Sequence, residues 1–455
     1  MSRLHLLVFF LHFSIVYPSH LPGIITVPLT ATLRPSPLTD PLSILASLTS
    51  HSLSRAHHLR HRSNSTLQEP PVSIPLNPRT YGGYSATLTF GSPPQAMTFV
   101  LDTGSSLVWF PCTSHYVCVG CNSSATDTLA SVFIPKKSSS VKILGCRNPR
   151  CRWFYGPDAL VDCPAASEGS RACSPYAIQY GIGSTSGILL LDTLSFSVAN
   201  FSNFVVGCSI ASTRQPEGGI AGFGRSPVSL PSQLGLKRFS YCLVSHVYDD
   251  NPWASSSLTL DRNGGHSPIQ GLSYTPFRKN PTNSPALQEF YYVNLRRITI
   301  GNRSIKIPHM YSFPGVDGNG GTVVDTGSTF TYMERPLFEL VTTEFKRQMG
   351  EFNIASDVEN TTGLMPCFRV PNWPASVPEM AFHFKNGATM ELLLSNYFPL
   401  VGSDIACLLI ITDTHGRGGP SVIVGNYQQM NFYVEYDLDN QKFGFKRHNC
   451  MSSPL

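Results

Sequence analysis

The chain has 455 residues, 42% of them hydrophobic, and 33 Lys and Arg stand against 28 Asp and Glu for a formal net charge of +5. That length accommodates two or three domains with ample core. Charged residues make up only 13% of the chain, about half the usual share, and no long Lys/Arg run occurs, so nucleic acid is not an expected partner.

The first element in chain order is residues 1–20. Arg3 precedes an apolar run from Leu4 to Val16 that is broken only by His5, His12 and Ser14, and Pro18 follows. This reads as a secretory signal peptide, too short for a membrane span. No later run approaches 18 apolar residues, and Met451 to Leu455 lacks the tail of a lipid-anchor signal, so no membrane association is expected.

Residues 21–76 are rich in Pro, Ser, Leu and His and contain no cysteine. Within them, His51 to Arg62 carries Arg55, Arg60, Arg62 and four histidines with no acid. One reading is a solvated helix or disordered linker. The other is a propeptide laying positive charge across an acidic cleft and acting as the chain's own inhibitor. On that second reading, converting the three arginines to Gln weakens inhibition at neutral pH.

From Tyr84 onward the texture is β. Ser85–Phe90 and Met97–Leu101 flank a Gly91-Ser-Pro-Pro94 turn and bring Asp102 to a strand end. Short β-branched and aromatic runs between Gly/Pro turns continue almost to the end. The best helical signal is Arg335–Met349, with Pro336 near its start and Gly350 after it.

All 12 cysteines follow residue 111: Cys112, Cys118, Cys121, Cys146, Cys151, Cys163, Cys173, Cys208, Cys242, Cys367, Cys407 and Cys450. An even count behind a signal peptide argues for six disulfides. Seven lie in residues 112–173, which read as a disulfide-stapled insertion with little core of its own. Nine precede residue 250 and three follow, so full pairing needs a bridge between the halves. The candidate is Cys450 reaching back, to Cys242; connectivity otherwise stays open. Secretion also makes the Cys118-Val-Gly-Cys121 pair a poor half of a zinc site, and no metal or cofactor is expected. Glycosylation sequons stand at Asn64, Asn122, Asn200, Asn302 and Asn360.

The chemistry is carried by a repeat. Val100-Leu-Asp102-Thr103-Gly104-Ser105 recurs as Val323-Val-Asp325-Thr326-Gly327-Ser328. The copies are far beyond the 20–50-residue period of a solenoid, so the chain reads as two similar lobes, each contributing one carboxylate. Peptide hydrolysis without a metal or a covalent nucleophile needs a base for water and an acid for the carbonyl oxygen and the leaving nitrogen. Two adjacent carboxylates sharing one proton supply both. Gly104 and Gly327 let the chain turn tightly beside each aspartate, and the flanking hydroxyls can hold the carboxylates. Ser105 and Ser328 lack the surroundings of a nucleophile elbow, so serine hydrolysis is improbable. His383, between Phe382 and Phe384, reads as structural.

The two Asp-Thr-Gly-Ser motifs, Trp109 seven residues after Asp102, and Tyr180-Gly181-Ile182-Gly183-Ser184 resemble the pepsin-like aspartic proteases. The 12 cysteines and the cysteine-rich insertion look like the plant nepenthesin type. The resemblance covers about residues 80–450. It implies a mostly β, bilobal fold with the active-site cleft between lobes, residues 77–280 forming the first lobe and 281–455 the second. It further implies that Asp102 and Asp325 are catalytic, that Thr103 and Thr326 buttress the paired loops, and that Ser105 and Ser328 orient the outer carboxylate oxygens. Tyr180 becomes the tip of a flap bonded to Trp109, and Ile182 is a departure, because such flaps often carry Asp there. Gly219–Gly222 and Val422–Gly425 become the strands that support the catalytic loops.

The resulting expectation is a secreted, monomeric aspartic endopeptidase, made as a zymogen and active in acid on polypeptide substrates with large apolar residues at the cleaved bond. It is placed in the apoplast or cell wall, with the vacuole open. The alternative is a catalytically silent relative that binds and inhibits cell-wall glycan hydrolases. The intact aspartates and Tyr180 favour the enzyme.

Overall fold

The computed structural model describes residues 24–31, 40–60, 82–121, 132–155, 171–245, 255–264, 269–281, 285–371, 373–374, 377–413 and 418–451. The expected signal peptide, Arg62, Asn64, Asn122 and Cys163 lie outside them.

Alternating apolar residues build the first lobe on one large sheet. In Tyr84–Phe90, the apolar Tyr84, Ala86, Leu88 and Phe90 are buried, as a strand packed on one face requires. It pairs antiparallel with Gln95–Asp102, Ala86 opposite Phe99 and Leu88 opposite Met97. Across the described residues this sheet has 15 strands. The strand Ile24–Ala31 sits inside it, between Tyr84–Phe90 and Ser255–Asp261.

That last strand corrects the expectation that β structure begins at Tyr84. Ile25, Val27 and Leu29 are buried, while Thr26 and Pro28 face out. The period-two pattern is present, but Pro28 disguises it, since proline lacks a ladder donor and normally marks an edge. Here both neighbours pair with the strand nonetheless.

The second lobe repeats the plan around a five-stranded sheet ordered Tyr291–Val293, Thr322–Val324, Val422–Val424, Thr331–Met333 and Ile410–Ile411. The helix Arg335–Gln348 covers its end of the core through Leu337, Phe338, Val341 and Phe345, apolar residues at helical spacing. The C-terminal strands cross back to the large sheet. Phe432–Asp437 pairs with Arg238–Cys242, and Cys450 is bridged to Cys242. The bridge between halves expected from the cysteine parity is therefore the Cys242–Cys450 disulfide.

Four more described disulfides join Cys112 to Cys208, Cys118 to Cys121, Cys151 to Cys173 and Cys367 to Cys407. Cys146 is disulfide-bonded as well. Asn200, Asn302 and Asn360 are all exposed. His383 is held between Thr299 and Thr389 by its two ring nitrogens, a structural position. No described helix is long and apolar enough to cross a membrane.

A 20-residue helix, Pro41–Arg60, lies against the second lobe, packing on the Ser356–Thr362 helix and the Thr331–Met333 and Ile410–Ile411 strands. Asp40 caps it by accepting from the Ser43 amide at 3.1 Å, with Pro41 at the first turn where a missing N–H costs nothing. Its buried face runs Leu48, Ser52, Arg55, Ala56, Leu59 and Arg60. The helix is thus not a solvated one: two arginines lie on its buried side.

Candidate active site

The two Asp-Thr-Gly-Ser turns are built identically. Val100–Asp102 runs parallel to Ile220–Gly222, with Gly222 opposite Asp102. In the second lobe Thr322–Val324 runs parallel to Val422–Val424, whose last carbonyl accepts from the Asp325 amide at 3.0 Å. The two glycine-ended strands lie directly under the two Asp-Thr-Gly-Ser turns, and their apolar side chains, Ile220, Ile423 and Val424 among them, are buried.

These turns meet across the lobe boundary. The Thr103 amide donates to Thr326 Oγ1 at 3.1 Å and the Thr326 amide donates to Thr103 Oγ1 at 3.0 Å. The Thr103 hydroxyl then donates onward to the Val324 carbonyl, and the Thr326 hydroxyl to the Leu101 carbonyl. Both threonines are fully buried, so every one of these groups depends on its partner.

The carboxylates are held in matching fashion. Oδ1 of Asp102 accepts from the Gly104 amide at 2.9 Å and Oδ2 accepts from Ser105 Oγ at 2.6 Å. For Asp325 the same bonds come from the Gly327 amide at 3.0 Å and Ser328 Oγ at 2.7 Å. Neither glycine has the positive φ of a left-handed turn. What excludes a side chain is close approach: a Cβ on Gly104 would lie 2.7 Å from Asp325 Oδ1, and one on Gly327 would lie 2.5 Å from Asp102 Oδ1. Each glycine makes room for the opposite carboxylate, which differs from the tight turn expected.

Arg55 occupies the space between the aspartates. Its Nη2 donates to Asp102 Oδ1 at 2.5 Å and to Asp325 Oδ1 at 3.4 Å, and its Nε donates to Asp325 Oδ2 at 3.1 Å. Burial opposes the guanidinium charge, but the two carboxylates outweigh it and raise the Arg55 pKa. Burial pushes Asp102 above the ordinary carboxyl range, partly offset by Arg55 and reinforced by Asp325. Burial pushes Asp325 the same way, yet Arg55, Ser328 and Gly327 together bring it below that range. Burial thus raises both carboxyls while Arg55 lowers both, and two carboxyls so placed titrate as a pair.

The hairpin of Tyr176–Gln179 and Ser184–Phe196 folds over this centre. Its turn is closed by the Tyr180 amide donating to the Gly183 carbonyl, and the Trp109 indole donates to the Tyr180 hydroxyl at 2.8 Å. Gly181 lies against the helix so closely that a Cβ there would stand 2.4 Å from Arg55 Cα. The Ile182 carbonyl accepts from Gln215 Nε2 at 2.7 Å.

Sequence reasoning missed Gln215, which pins the flap turn, and whose own amide faces Cys121 Sγ at 3.2 Å. It missed Glu334 and Asp413 as well, which bind Arg60. No local motif marks these residues. Among the described residues no cluster of three or more His, Cys, Asp or Glu is arranged to hold a metal ion.

Residues 84–260 match the family described as Xylanase inhibitor N-terminal, and residues 290–447 match Xylanase inhibitor C-terminal. The chain is 33% identical to a probable aspartyl protease of Arabidopsis thaliana, over 84% of each chain. It is 30% identical to the aspartic proteinase nepenthesin-1 of Nepenthes gracilis, over 82% of this chain and 79% of that protein. In solved structures the fold is shared with EDGP, at a TM-score of 0.64 and 18% identity over 95% of this chain and 96% of that one. It is shared also with conglutin gamma, a basic 7S globulin from lupine seeds, at 0.58 and 17% over 80% and 91%.

Proposed function

The chain belongs to the pepsin-like aspartic proteases, of the plant nepenthesin type, and from that premise we propose that it is an acid-active aspartic endopeptidase made as a secreted zymogen. The observation that carries the reading is the pair Asp102 and Asp325. Both are buried, both are held by a serine hydroxyl and a glycine amide, and both Oδ1 atoms reach one nitrogen of Arg55. A nucleophilic water must touch both carboxyls, and the position of that nitrogen is where it would do so. The ionised carboxylate takes the water proton while the protonated one donates to the scissile carbonyl oxygen, and the proton later passes to the leaving nitrogen.

The zymogen part rests on the Pro41–Arg60 helix. While Arg55 fills the centre, water and substrate have no access to the carboxyls. Residues 21–76 act on this reading as an intramolecular inhibitor, and residues 77–280 and 281–455 form the lobes of the mature enzyme. The flap, with Tyr180 bonded to Trp109, closes over extended peptide once the helix has gone. Ile182 and Ile220, which border the same space, favour apolar side chains near the cleaved bond.

The family descriptions that mention xylanase inhibition give the alternative its weight: a silent relative that binds glycan hydrolases. Retention of both aspartates and of the flap tyrosine supports the peptidase instead. The test is hydrolysis of denatured globin by the purified full-length chain at acid pH, with and without the transition-state mimic pepstatin, beside a xylanase-inhibition assay. Pepstatin-sensitive cleavage supports the peptidase. Xylanase inhibition without cleavage replaces it with the alternative.

A further inference from the structure

Trp109 and Tyr332 are equivalent residues of the two lobes. Each stands seven positions after its aspartate, and each pairs antiparallel with the isoleucine of the strand under that aspartate, Ile220 for Trp109 and Ile423 for Tyr332. Their partners differ. Trp109 holds the flap, whereas Tyr332 faces a cation.

That cation is Arg60. Its guanidinium carbon lies 4.7 Å from the centre of the Tyr332 ring. Nη1 donates to the Tyr332 hydroxyl and to both oxygens of Asp413, at 3.3 and 3.4 Å, and Nη2 donates to Glu334 Oε1 at 2.7 Å. The Arg60 side chain is 0% exposed and the two acids 9% each. The acids are also fixed by neighbours other than Arg60. Tyr332 donates to Asp413 Oδ1 at 3.0 Å, Ser421 Oγ donates to Glu334 Oε2 at 3.0 Å, and the Glu334 amide donates to the Ser421 carbonyl.

Two oriented carboxylates beside an aromatic face form a built cation site, and departure of the helix takes away the cation that both of them bind. We propose that, once the Pro41–Arg60 helix has left, this pocket is a substrate subsite that takes an arginine side chain. The inference rests on the peptidase reading above and adds a polar specificity to it. Arginine fits better than lysine, because its planar fork reaches both acids while its face covers the ring, whereas an ammonium is a single compact charge. The pocket also has a place along the cleft. Arg60 follows Arg55 by five residues on one helix, an axial offset of about 7–8 Å, which extended peptide spans in about two to three residues. The arginine therefore belongs two or three residues from the scissile bond, not at it.

The experiment uses the full chain after acid incubation has released the helix, and peptides with one apolar pair at the cleaved bond. Arg, Lys or norleucine is placed two or three residues away on either side. The readouts are kcat/KM, and Kd for the same peptides carrying a non-hydrolysable hydroxyethylene at the scissile position. Arginine is expected to beat norleucine by about tenfold at one position, with lysine between them. In the Glu334→Gln/Asp413→Asn double variant the ratio should fall to near one, and in Tyr332→Phe, which keeps the ring, to an intermediate value. A ratio near one at every position in the unmodified chain, or a preference that survives the double variant, overturns the subsite. Arginine-selective Kd values without hydrolysis would leave the subsite standing and remove the catalytic reading. Failure of every analogue to bind would remove both.

Discussion

Thr103 and Thr326 exchange hydrogen bonds across the two lobes, each amide donating to the other's hydroxyl at 3.1 and 3.0 Å. The register of the two aspartates depends on this exchange, because each threonine is the residue next to its aspartate. Thr326→Val keeps the shape but strands the buried Thr103 amide and the Leu101 carbonyl, at about 1–3 kcal/mol for an unsatisfied buried group. Urea unfolding should report that loss, and Thr326→Ser, which retains the hydroxyl, should recover most of it.

Arg55 makes the docking of the helix depend on pH. Its own raised pKa keeps it charged at every practical pH, so the carboxylates decide. Asp325 is held below the ordinary range; its contribution is complete at neutral pH and is lost as pH falls through the depressed value. For Asp102 burial is the larger effect and raises it, but Arg55 by itself pulls it down, so the pairing of Arg55 with this carboxylate too is lost as pH falls. Acid, not base, therefore releases the helix. Arg55→Gln removes the cation from a buried ion pair, a change that costs about 3–5 kcal/mol elsewhere, so the full-length variant should begin to bind pepstatin at higher pH than the unmodified chain. An unchanged onset would count against the helix as inhibitor.

The flap offers two separable changes. Tyr180→Phe loses the hydrogen bond from Trp109, a net of about 0.5–1.5 kcal/mol and hence about 2–10-fold in kcat/KM. Gly181→Ala places a Cβ 2.4 Å from the Arg55 backbone, so one chain must move. Its expected signature is earlier exposure of the cleft in the pH titration of pepstatin binding.

The disulfides should differ in weight. Cys242 and Cys450 are 208 residues apart, whereas Cys118 and Cys121 are separated by 3. In the chain-entropy view a long loop gains most from closure, so Cys242→Ser/Cys450→Ser should cost about 2–5 kcal/mol. Cys118→Ser/Cys121→Ser should leave the thermal midpoint close to that of the unmodified chain. Its effect belongs at the flap, through the contact of Cys121 with Gln215, and should appear in KM.

How much of this was legible in the sequence follows from how local each signal is. Asp102 and Asp325, Trp109 and the Tyr180 hairpin are short patterns whose chemistry and spacing travel together, and cysteine parity pointed to a bridge between the halves. Ile24–Ala31 escaped because Pro28 breaks a strand pattern that only its two neighbours rescue. The Pro41–Arg60 helix was ambiguous because its buried face carries His51, Ser52, Arg55 and Arg60, residues that read as solvated until the opposing acids are known. Those acids, Glu334 and Asp413, lie more than 270 and 350 residues further on. Only the fold brings them to Arg60.

The central claim is that Asp102 and Asp325 act as one acid–base pair on a peptide bond. Its most direct measurement is the rate of globin hydrolysis at acid pH by the unmodified chain, by Asp102→Asn and by Asp325→Asn, each checked for native unfolding behaviour. Both substitutions keep the side-chain volume and remove the shared proton, so either alone should reduce the rate to background. Undiminished hydrolysis by both folded variants would contradict the mechanism.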